Sequence, residues 1–338
     1  MTAVGKAQRA LTPEMIARGV QVADAEWGYR YVAEPAESPA PGLCQPPDMH
    51  YGTIKELRDH FRIRAHDVAI ATYPKCGTTW MQQIVLLLCR GADAPVSPMQ
   101  DAPWLEMSAC AAYRNAPSST KAMSVSELCS TPVPAPPFGR NVWKTHAPSS
   151  APPWVGGVAG AKDGKVIVVS RNSKDAAISM FHHARNIPSF AFTGEWEHFA
   201  PIFLDGTVEY SSYWHWHQGW WNAAKGCEDF VLWVTFEDLK RDLAGEIARV
   251  SAFLGLPPRS PEEMAAIVAR CDFAAMKKEA DVRDSQALKE GRRIKKGHFR
   301  QGKVGGFRAV MSDETRAKFD AMDEAELEPE LKERIAMA

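Results

Sequence analysis

A nine-residue stretch, residues 72–80, constrains the fold more than any other part of the chain. It reads Thr-Tyr-Pro-Lys-Cys-Gly-Thr-Thr-Trp. The apolar residues 68–71 before it predict a buried strand, and the largely apolar residues 81–88 after it predict a core helix. The N-terminus of such a helix offers free backbone N–H groups and a dipole that favours an anion. With Lys75 for charge and Gly77 for close backbone approach, the stretch predicts a phosphate-binding loop.

The composition indicates an ordinary globular protein around this loop. The 338 residues and the formal net charge of −1 suit one large α/β domain or two small ones, and they argue against a general nucleic-acid or membrane-surface binder. The longest apolar run, residues 84–89, is far shorter than the roughly 20 residues of a membrane span. Residues 1–20 show no secretory signal, and the seven Cys include no C-x-x-C pair. We therefore expect a soluble, cytoplasmic protein.

A second predicted strand, residues 141–146, carries two basic side chains on one face. Lys144 and His146 are two residues apart, and side chains alternate along a strand. Ligands of open α/β sheets bind at the carboxyl ends of the strands, so both side chains can approach one anionic centre. A lone His is more often a surface or core residue, so this interpretation depends on support from other segments.

A third predicted strand, residues 165–170, is the clearest buried strand in the chain and leads to Arg171. Ser173 is expected to cap a helix that continues to about Arg185. From this junction Arg171 and Ser179 can both reach one phosphate. A Walker-type NTPase has the loop G-x-x-x-x-G-K-[ST] and often a magnesium-binding Asp after such a strand. This sequence has neither feature, which counts against a metal-dependent ATPase.

These segments resemble, in order and spacing, the motifs of the cytosolic sulfotransferases, which use 3′-phosphoadenosine-5′-phosphosulfate (PAPS) as sulfuryl donor. Eight of the nine residues 72–80 agree with that family's 5′-phosphosulfate loop, and Cys76 stands where Ser is usual. The strand Lys144-Thr145-His146 is similar to the family's catalytic strand. Arg171 and Ser179 match its ligands for the 3′-phosphate of the donor. The resemblance covers roughly residues 66–310.

The resemblance implies an in-line sulfuryl transfer that needs no metal. His146 is the expected general base, Lys75 is expected to stabilise the leaving phosphate, and Lys144 to hold the sulfuryl group. The adenine is expected between Trp80 and Phe273. The residues implied in nucleotide binding are Lys75, Cys76, Gly77, Thr78, Thr79, Trp80, Arg171, Ser179, Phe236, Phe273, Arg300, Gln301 and Gly302.

Several nucleotide-binding positions depart from the family pattern. Phe236 stands where Tyr is usual and lacks its hydroxyl, and Asp272 stands where a hydroxyl residue is usual. Gln301 replaces a basic residue, which predicts weaker 3′-phosphate binding, with Lys303 as a compensating charge. These changes leave open a non-catalytic nucleotide-binding protein of the same fold. A P-loop kinase or NTPase is a further alternative.

Two other features admit more than one interpretation. Cys76 is a replacement of Ser, a redox-sensitive thiol, or a nucleophile at a helix N-terminus. A phosphatase of the tyrosine-specific type would need an Arg at the position of Gln82, so that pattern fails. His215 and His217 suggest a metal pair, but residues i and i+2 lie about 200° apart around a helix. A structural role is therefore the preferred interpretation for both His.

The resemblance implies one α/β domain with a central parallel sheet flanked by helices around a P-loop-like nucleotide-binding core. Residues 66–338 are expected to form the sulfotransferase domain. Residues 1–65 are expected to add N-terminal helices, one of them over residues 9–25, and a Pro-rich connector packed on the core. Aromatic, Met and Pro residues in the loops around the site favour a small apolar or phenolic acceptor. We expect no nucleic-acid or membrane partner, and either a monomer or a homodimer.

Overall fold

The computed structural model of the chain describes residues 11–17, 19–24, 26–110, 121–132, 139–289 and 302–336. The strands β1–β7 in these segments are Val20–Asp24, Gly28–Ala33, Cys44–Gln45, Asp67–Thr72, Asn141–Thr145, Lys165–Ser170 and Val231–Thr235. The helices α1–α15 are Pro13–Ala17, Tyr51–His60, Thr78–Arg90, Pro98–Asp101, Leu105–Ala109, Val125–Cys129, Ser173–Asn186, Trp196–Leu204, Tyr213–Ala224, Phe236–Arg241, Leu243–Phe253, Pro261–Cys271, Phe273–Lys289, Asp313–Glu326 and Pro329–Ala336. Among these helices, none combines the length and apolarity needed to cross a membrane.

The central sheet contains four parallel strands in the order β5-β4-β6-β7. Ala71 of β4 lies beside Thr145 of β5, and Thr72 of β4 lies beside Val169 of β6. The carboxyl ends of the four strands therefore meet at one edge, where ligands of such sheets bind. The predicted fold class, a central parallel sheet flanked by helices, is confirmed.

Both faces of this sheet are buried. Along β4, Ala69 and Ala71 belong to one apolar core, while Val68 and Ile70 belong to the other. The second core also contains most of α3, which packs on the sheet directly after the predicted phosphate loop. A strand that is covered on both faces has apolar residues at successive positions. This explains why residues 68–71 show no polar alternation.

The helix after β6 is capped by a different residue from the one predicted. The N-cap of α7 is Asn172, whose side-chain oxygen accepts the backbone N–H of Asp175 at 2.9 Å. Ser173 is instead the first helical residue, and its hydroxyl donates to Asp323 of α14 at 2.9 Å. The prediction was off by one residue because Asn and Ser cap helices equally well.

The helix predicted over residues 9–25 is wrong beyond its first turn. Helix α1 begins at Pro13, as expected, but ends at Ala17. The chain then forms β1, which pairs antiparallel with β2 in a small sheet with β3. One carboxylate oxygen of Asp24 accepts two backbone N–H groups of the intervening turn, both at 2.7 Å. Asp in this role is a turn signal, and it favours a hairpin over a helix here.

The predicted Pro-rich connector, residues 34–48, is fixed to α2 by a buried ion pair. The two terminal nitrogens of Arg58 donate to the two carboxylate oxygens of Glu34, at 2.8 and 2.9 Å. The side chains are 9% and 1% exposed. A paired fork of this kind fixes orientation as well as distance.

Candidate active site

The predicted phosphate loop lies at the carboxyl end of β4. Gly77 is the N-cap of α3 with φ 106°, and Lys75 also has a positive φ, 71°. A Cβ at position 77 would lie 3.1 Å from the ring of Phe236, so the backbone needs glycine both for its conformation and for its surroundings. The first turn of α3 contains no acidic residue. The loop therefore presents to an anion a lysine and a helix N-terminus whose first turn carries no carboxylate.

His146 lies directly beyond β5, and its ring is fixed by the end of β4. Its Nδ1 is 2.7 Å from the carbonyl oxygen of Thr72 and 3.1 Å from the hydroxyl of the same residue. A carbonyl oxygen can only accept, so Nδ1 carries the proton and donates it. The lone pair is then on Nε2. The hydroxyl of Thr72 is also 2.6 Å from that of Thr78, which connects the imidazole to the phosphate loop.

The imidazole of His146 is neutral at neutral pH. Its pKa lies well below the usual value because the ring is buried and because the charge of Lys144 is close; the hydrogen bond to Thr72 opposes the shift, and Lys75 lowers the pKa further. The two predicted cations and the predicted base therefore lie close enough to interact. A neutral imidazole with a fixed tautomer is the form that can accept a proton.

Aromatic side chains surround the imidazole and the neighbouring cation. The Nζ of Lys144 is 4.0 Å from the ring centre of Trp104. Trp104 meets the His146 ring edge to face at 4.8 Å, and Tyr210 lies at 5.4 Å. Tyr210 is not among the site residues predicted from the sequence. Its positive φ of 65° is the structural sign of a special position.

Cys76 is fully buried beneath the loop. Burial is the largest cause that raises the pKa of its thiol far above the usual value; nearby Arg171 and Lys75 lower it only in part. The thiol therefore stays protonated at neutral pH, and a protonated thiol is a poor nucleophile. Of the three interpretations of Cys76, the geometry favours replacement of Ser.

Arg171 connects the phosphate loop to a glycine-rich segment near the C-terminus, residues 302–307. Its Nη1 donates to the carbonyl oxygen of Lys75 at 3.3 Å, and its Nη2 donates to that of Lys303 at 3.0 Å. The guanidinium also lies 4.4 Å from the ring centre of Phe236. Arg171 is thus placed between the two loops that the sequence predicts for the two phosphate groups of the donor.

Asp175 is a further residue of the site, and it is not among the residues predicted from the sequence. It is 2% exposed, and its carboxylate accepts the backbone N–H of Gly305 at 2.6 Å and that of Phe307 at 3.0 Å. The carboxylate therefore fixes the glycine-rich segment onto α7. No local signal marks it, because Gly305 and Phe307 are 130 and 132 residues away in sequence.

The predicted adenine contacts, Trp80 and Phe273, lie near the junction of α12 and α13. Trp80 donates its ring N–H to the carbonyl oxygen of Cys271 at 2.7 Å, which places it near the start of α13 and Phe273. Gly302 packs against Phe273 so closely that a Cβ there would be 2.2 Å from the ring. Asp272 is exposed and accepts a backbone N–H at 2.8 Å, so its carboxylate acts at a helix start.

The remaining predicted residues are placed as follows. Thr79 lies in the first turn of α3, Phe236 begins α10 at the end of β7, and Ser179 is partly exposed on α7. Arg300 and Gln301 lie outside the described residues. The structure describes no group of three His, Cys, Asp or Glu side chains arranged to hold a metal ion.

The fold and this site define the class of protein. The family model for the sulfotransferase domain matches residues 65–329, and the chain belongs to this family of PAPS-dependent enzymes. It is 30% identical to rabbit (Oryctolagus cuniculus) amine sulfotransferase over 284 residues, and the match covers 81% of this chain and 85% of the relative. It is 31% identical over 219 residues to human sulfotransferase 2B1, covering 64% of this chain and 53% of that protein.

Solved structures support the same fold. Mouse sulfotransferase SULT7A1, complexed with PAP, matches with a TM-score of 0.68 and 23% identity over 88% of this chain and 97% of that one. Retinol dehydratase, in complex with androsterone and PAP, matches with a TM-score of 0.66 and 21% identity over 95% of this chain and 96% of that one.

Proposed function

We propose that this protein transfers a sulfuryl group from PAPS to a hydroxyl or amine of a small, apolar or phenolic acceptor, with His146 as general base. One observation carries the proposal. A buried, neutral imidazole has its Nδ1 proton fixed on Thr72 and lies beside Lys144 of β5 and Lys75 of the phosphate loop. In this arrangement a base and two cations for an anionic reacting centre lie close together.

The residues at the carboxyl edge of the sheet fit the proposed donor. The Gly77 backbone and the start of α3 suit a phosphate, and Lys75 supplies charge beside them. Arg171 lies where a second phosphate would meet both loops, and its Nε is buried without a hydrogen bond to any described residue. A donor that carries separate 5′ and 3′ anionic groups uses both places.

PAPS supplies a sulfuryl group that moves to the acceptor oxygen or nitrogen as the bond to the leaving phosphate breaks. In the proposed mechanism Nε2 of His146 takes the acceptor proton, and Nδ1 keeps its proton on Thr72 throughout. Lys75 and Lys144 stabilise the negative charge on the leaving and transferring groups. Transfers of this type depend mainly on positioning and charge stabilisation.

The aromatic surroundings of His146 support an aromatic or otherwise apolar acceptor. Trp104 and Tyr210 flank the imidazole, and both are buried. A flat ring that carries a hydroxyl can pack against such side chains with its oxygen near Nε2, because aromatic rings stack and meet edge to face favourably. The rabbit relative's name, amine sulfotransferase, makes an amine a second acceptor to test.

All seven cysteines are free thiols, five of them buried. Free thiols of this number are typical of a reducing compartment, which supports our proposal of a cytoplasmic protein.

Binding of 3′,5′-adenosine bisphosphate, measured by calorimetry without an acceptor, tests the donor site. We expect the wild type to bind it, and Arg171→Ala to weaken binding about 10- to 100-fold, because a charge-assisted hydrogen bond is lost. Arg185→Ala is the matched control, since Arg185 lies in α7, the helix that follows Arg171, but pairs with Glu195 at the surface.

The other functions predict different results in this titration. A P-loop kinase or NTPase would bind ATP with magnesium and not the bisphosphate. A non-catalytic nucleotide-binding protein would bind the bisphosphate but show no turnover of PAPS with any phenol, alcohol or amine. Failure to bind either nucleotide would mean that the departures at Phe236 and Gln301 have disabled the site.

Asp175→Asn is expected to weaken bisphosphate binding about tenfold, because one backbone N–H of the glycine-rich segment then faces an amide NH₂ and is left unsatisfied. Calorimetry on the two proteins measures the change. Asp320→Asn is the control, since Asp320 pairs with Lys174 at the surface and is 67% exposed. Equal affinities for Asp175→Asn and wild type would show that this contact does not support the donor site.

A further inference from the structure

The main chain of His146 is held by side chains and not by the sheet. The last pair between β4 and β5 is Ala71 with Thr145, so the strand pairing stops one residue before His146. The backbone N–H of His146 donates to Glu106 Oε1 at 3.2 Å, and its carbonyl oxygen accepts from the ring N–H of Trp216 at 2.8 Å. Glu106 of α5 and Trp216 of α9 therefore fix the backbone of His146.

Glu106 holds more than this one N–H group. Its Oε1 also accepts the hydroxyl hydrogen of Thr145 at 2.7 Å, and that hydroxyl accepts the backbone N–H of Ala147 at 3.0 Å. One carboxylate oxygen thus contacts Thr145 and His146 directly and Ala147 through a single hydroxyl. It shares the turn after β5 with two tryptophans, whose ring N–H groups donate to the carbonyl oxygens of His146 and Ala147.

The local chain path explains how Glu106 reaches this turn. Residues 103 and 104 extend the sheet beside β5: Lys144 N–H donates to Pro103 at 2.9 Å, and Trp104 forms a parallel bridge with Lys144. Helix α5 begins at the next residue, Leu105, so Glu106 lies in its first turn beside the strand end. The position is therefore set by the same segment that places Trp104 on the imidazole.

The buried carboxyl group of Glu106 lowers the stability of the fold. Glu106 is 1% exposed, and its Oε2 has no hydrogen bond to any described residue. Burial raises the pKa of its carboxyl, against the hydrogen bonds to Thr145 and His146. A core that needed only packing would favour an apolar side chain, since a buried polar atom without a partner destabilises the fold. Unlike an apolar residue at this position, Glu106 hydrogen-bonds to the turn after β5.

We infer that Glu106 is a positioning residue, which fixes the peptide of His146 through Oε1 and thereby sets the direction in which Nε2 faces the acceptor. The inference rests on the proposed role of His146 as base. The positioning role of Glu106 requires a hydrogen-bond acceptor at this place and not a negative charge. Misplacement of a reacting group by about 1 Å can lower a rate on the order of 10²-fold, so the contact is worth this much to turnover.

Three variants test the inference: Glu106→Gln, Glu106→Leu and Thr145→Val. The amide oxygen of Gln can accept both hydrogen bonds, so Glu106→Gln should keep kcat within a few-fold of wild type. Glu106→Leu should lower kcat roughly 10²-fold with an unchanged KM for PAPS and unchanged bisphosphate affinity by calorimetry. Thr145→Val removes the hydroxyl bonded to Oε1 and should lower kcat less, with the same unchanged affinity.

The outcomes separate the possible failures. A wild-type kcat in Glu106→Leu would overturn the inference. Loss of both kcat and bisphosphate binding would also overturn it, because the side chain would then serve folding alone. If Glu106→Leu does not fold, the other two variants still test the inference. A large loss of kcat in Glu106→Gln would overturn it, because the charge and not only the acceptor would then be needed. A wild-type kcat in Thr145→Val would also overturn it, because the contact with Oε1 would then have no effect on turnover.

A double mutant distinguishes this inference from the proposed function beneath it. In a His146→Ala background, Glu106→Leu should cause no further loss, since a positioning residue acts only through the group it positions. Retained turnover in His146→Ala alone would overturn the base assignment itself. Loss of turnover in His146→Ala, with additive further loss from Glu106→Leu, would leave the base assignment intact and overturn only the role of Glu106.

Discussion

Replacement of His146 by Ala is expected to lower kcat by roughly 10²- to 10⁴-fold, the usual contribution of a positioned general base. The bisphosphate should bind with near wild-type affinity, because the ring of His146 hydrogen-bonds to Thr72 and is connected to Thr78 at the start of α3 through the Thr72 hydroxyl. Single-turnover sulfuryl transfer to a simple phenol, followed beside calorimetric binding, measures both quantities.

The size of this effect follows from how much of the site is arranged around one ring. Nδ1 of His146 is committed to Thr72, so the ring cannot rotate to use the other nitrogen without breaking a 2.7 Å hydrogen bond. The low pKa keeps the ring neutral down to pH values below 6.5, the usual midpoint of an exposed His. Both features serve proton acceptance by Nε2.

His215→Ala is the matched control for this substitution. The His215 side chain lies on α9, is 75% exposed and pairs with Glu326, so its loss should leave kcat within about twofold of wild type, as for most surface changes. Near-normal turnover in His146→Ala would contradict the assignment of the base. A parallel loss of bisphosphate affinity would instead show that the ring supports the donor site.

Much of the central site could be predicted because its signals are local. Residues 68–88 form strand, loop and helix in direct succession, and each part has its own pattern: an apolar run, a lysine and glycine, then a longer apolar run. Parallel strands place their carboxyl ends together, so Lys144, His146 and Arg171 could be assigned to one edge from sequence alone. Their positions near the loop agree with that expectation.

The supporting residues could not be predicted, because their partners are distant in sequence. Asp175 and Gly305 are 130 residues apart, and Glu106 and His146 are 40 apart. Nothing in the local pattern around Glu106 distinguishes it from a surface acid in a short helix. Its role appears only when the segment before α5 is placed beside β5. The N-terminal hairpin was missed for a different reason: a single Asp at a turn was outweighed by a helix-like start at Pro13.

Two departures from the family pattern, at Phe236 and Gln301, differ in how far the surrounding structure compensates for them. Phe236 lacks the usual hydroxyl, but its ring packs against Arg171 and forms the surface that requires Gly77 to have no side chain. The substitution therefore keeps the shape of the phosphate loop while removing one polar contact. Lys303 approaches Arg171 through its carbonyl oxygen, so this backbone contact does not itself supply the charge missing at Gln301.

Replacement of Lys144 by Met is expected to lower kcat about 10²- to 10³-fold and to move the acid limb of its pH profile to higher pH. The rate falls because a cation that stabilises the transferring group is lost; single stabilising groups of this kind contribute about this much. Met retains an unbranched apolar chain over Trp104, so packing changes little.

The direction of the pH shift follows from the charges around His146. Lys144 and Lys75 both lower its pKa, and Lys144 has the larger effect of the two. Removal of Lys144 lets the pKa rise toward its usual value. Since only the neutral ring accepts a proton, activity in the variant should begin to fall at a higher pH on acidification than in the wild type. Measurement of kcat against pH with both substrates saturating reports the limb in the loaded enzyme.

Lys165→Met provides the comparison, because Lys165 starts β6 at the opposite edge of the sheet and donates to the carbonyl oxygen of Asp229. This variant should keep both kcat and the acid limb. A lower kcat in Lys144→Met with an unmoved acid limb would mean that the group titrating in turnover is not His146. A limb that moves to lower pH would mean that Lys144 does not act on the base as a nearby positive charge.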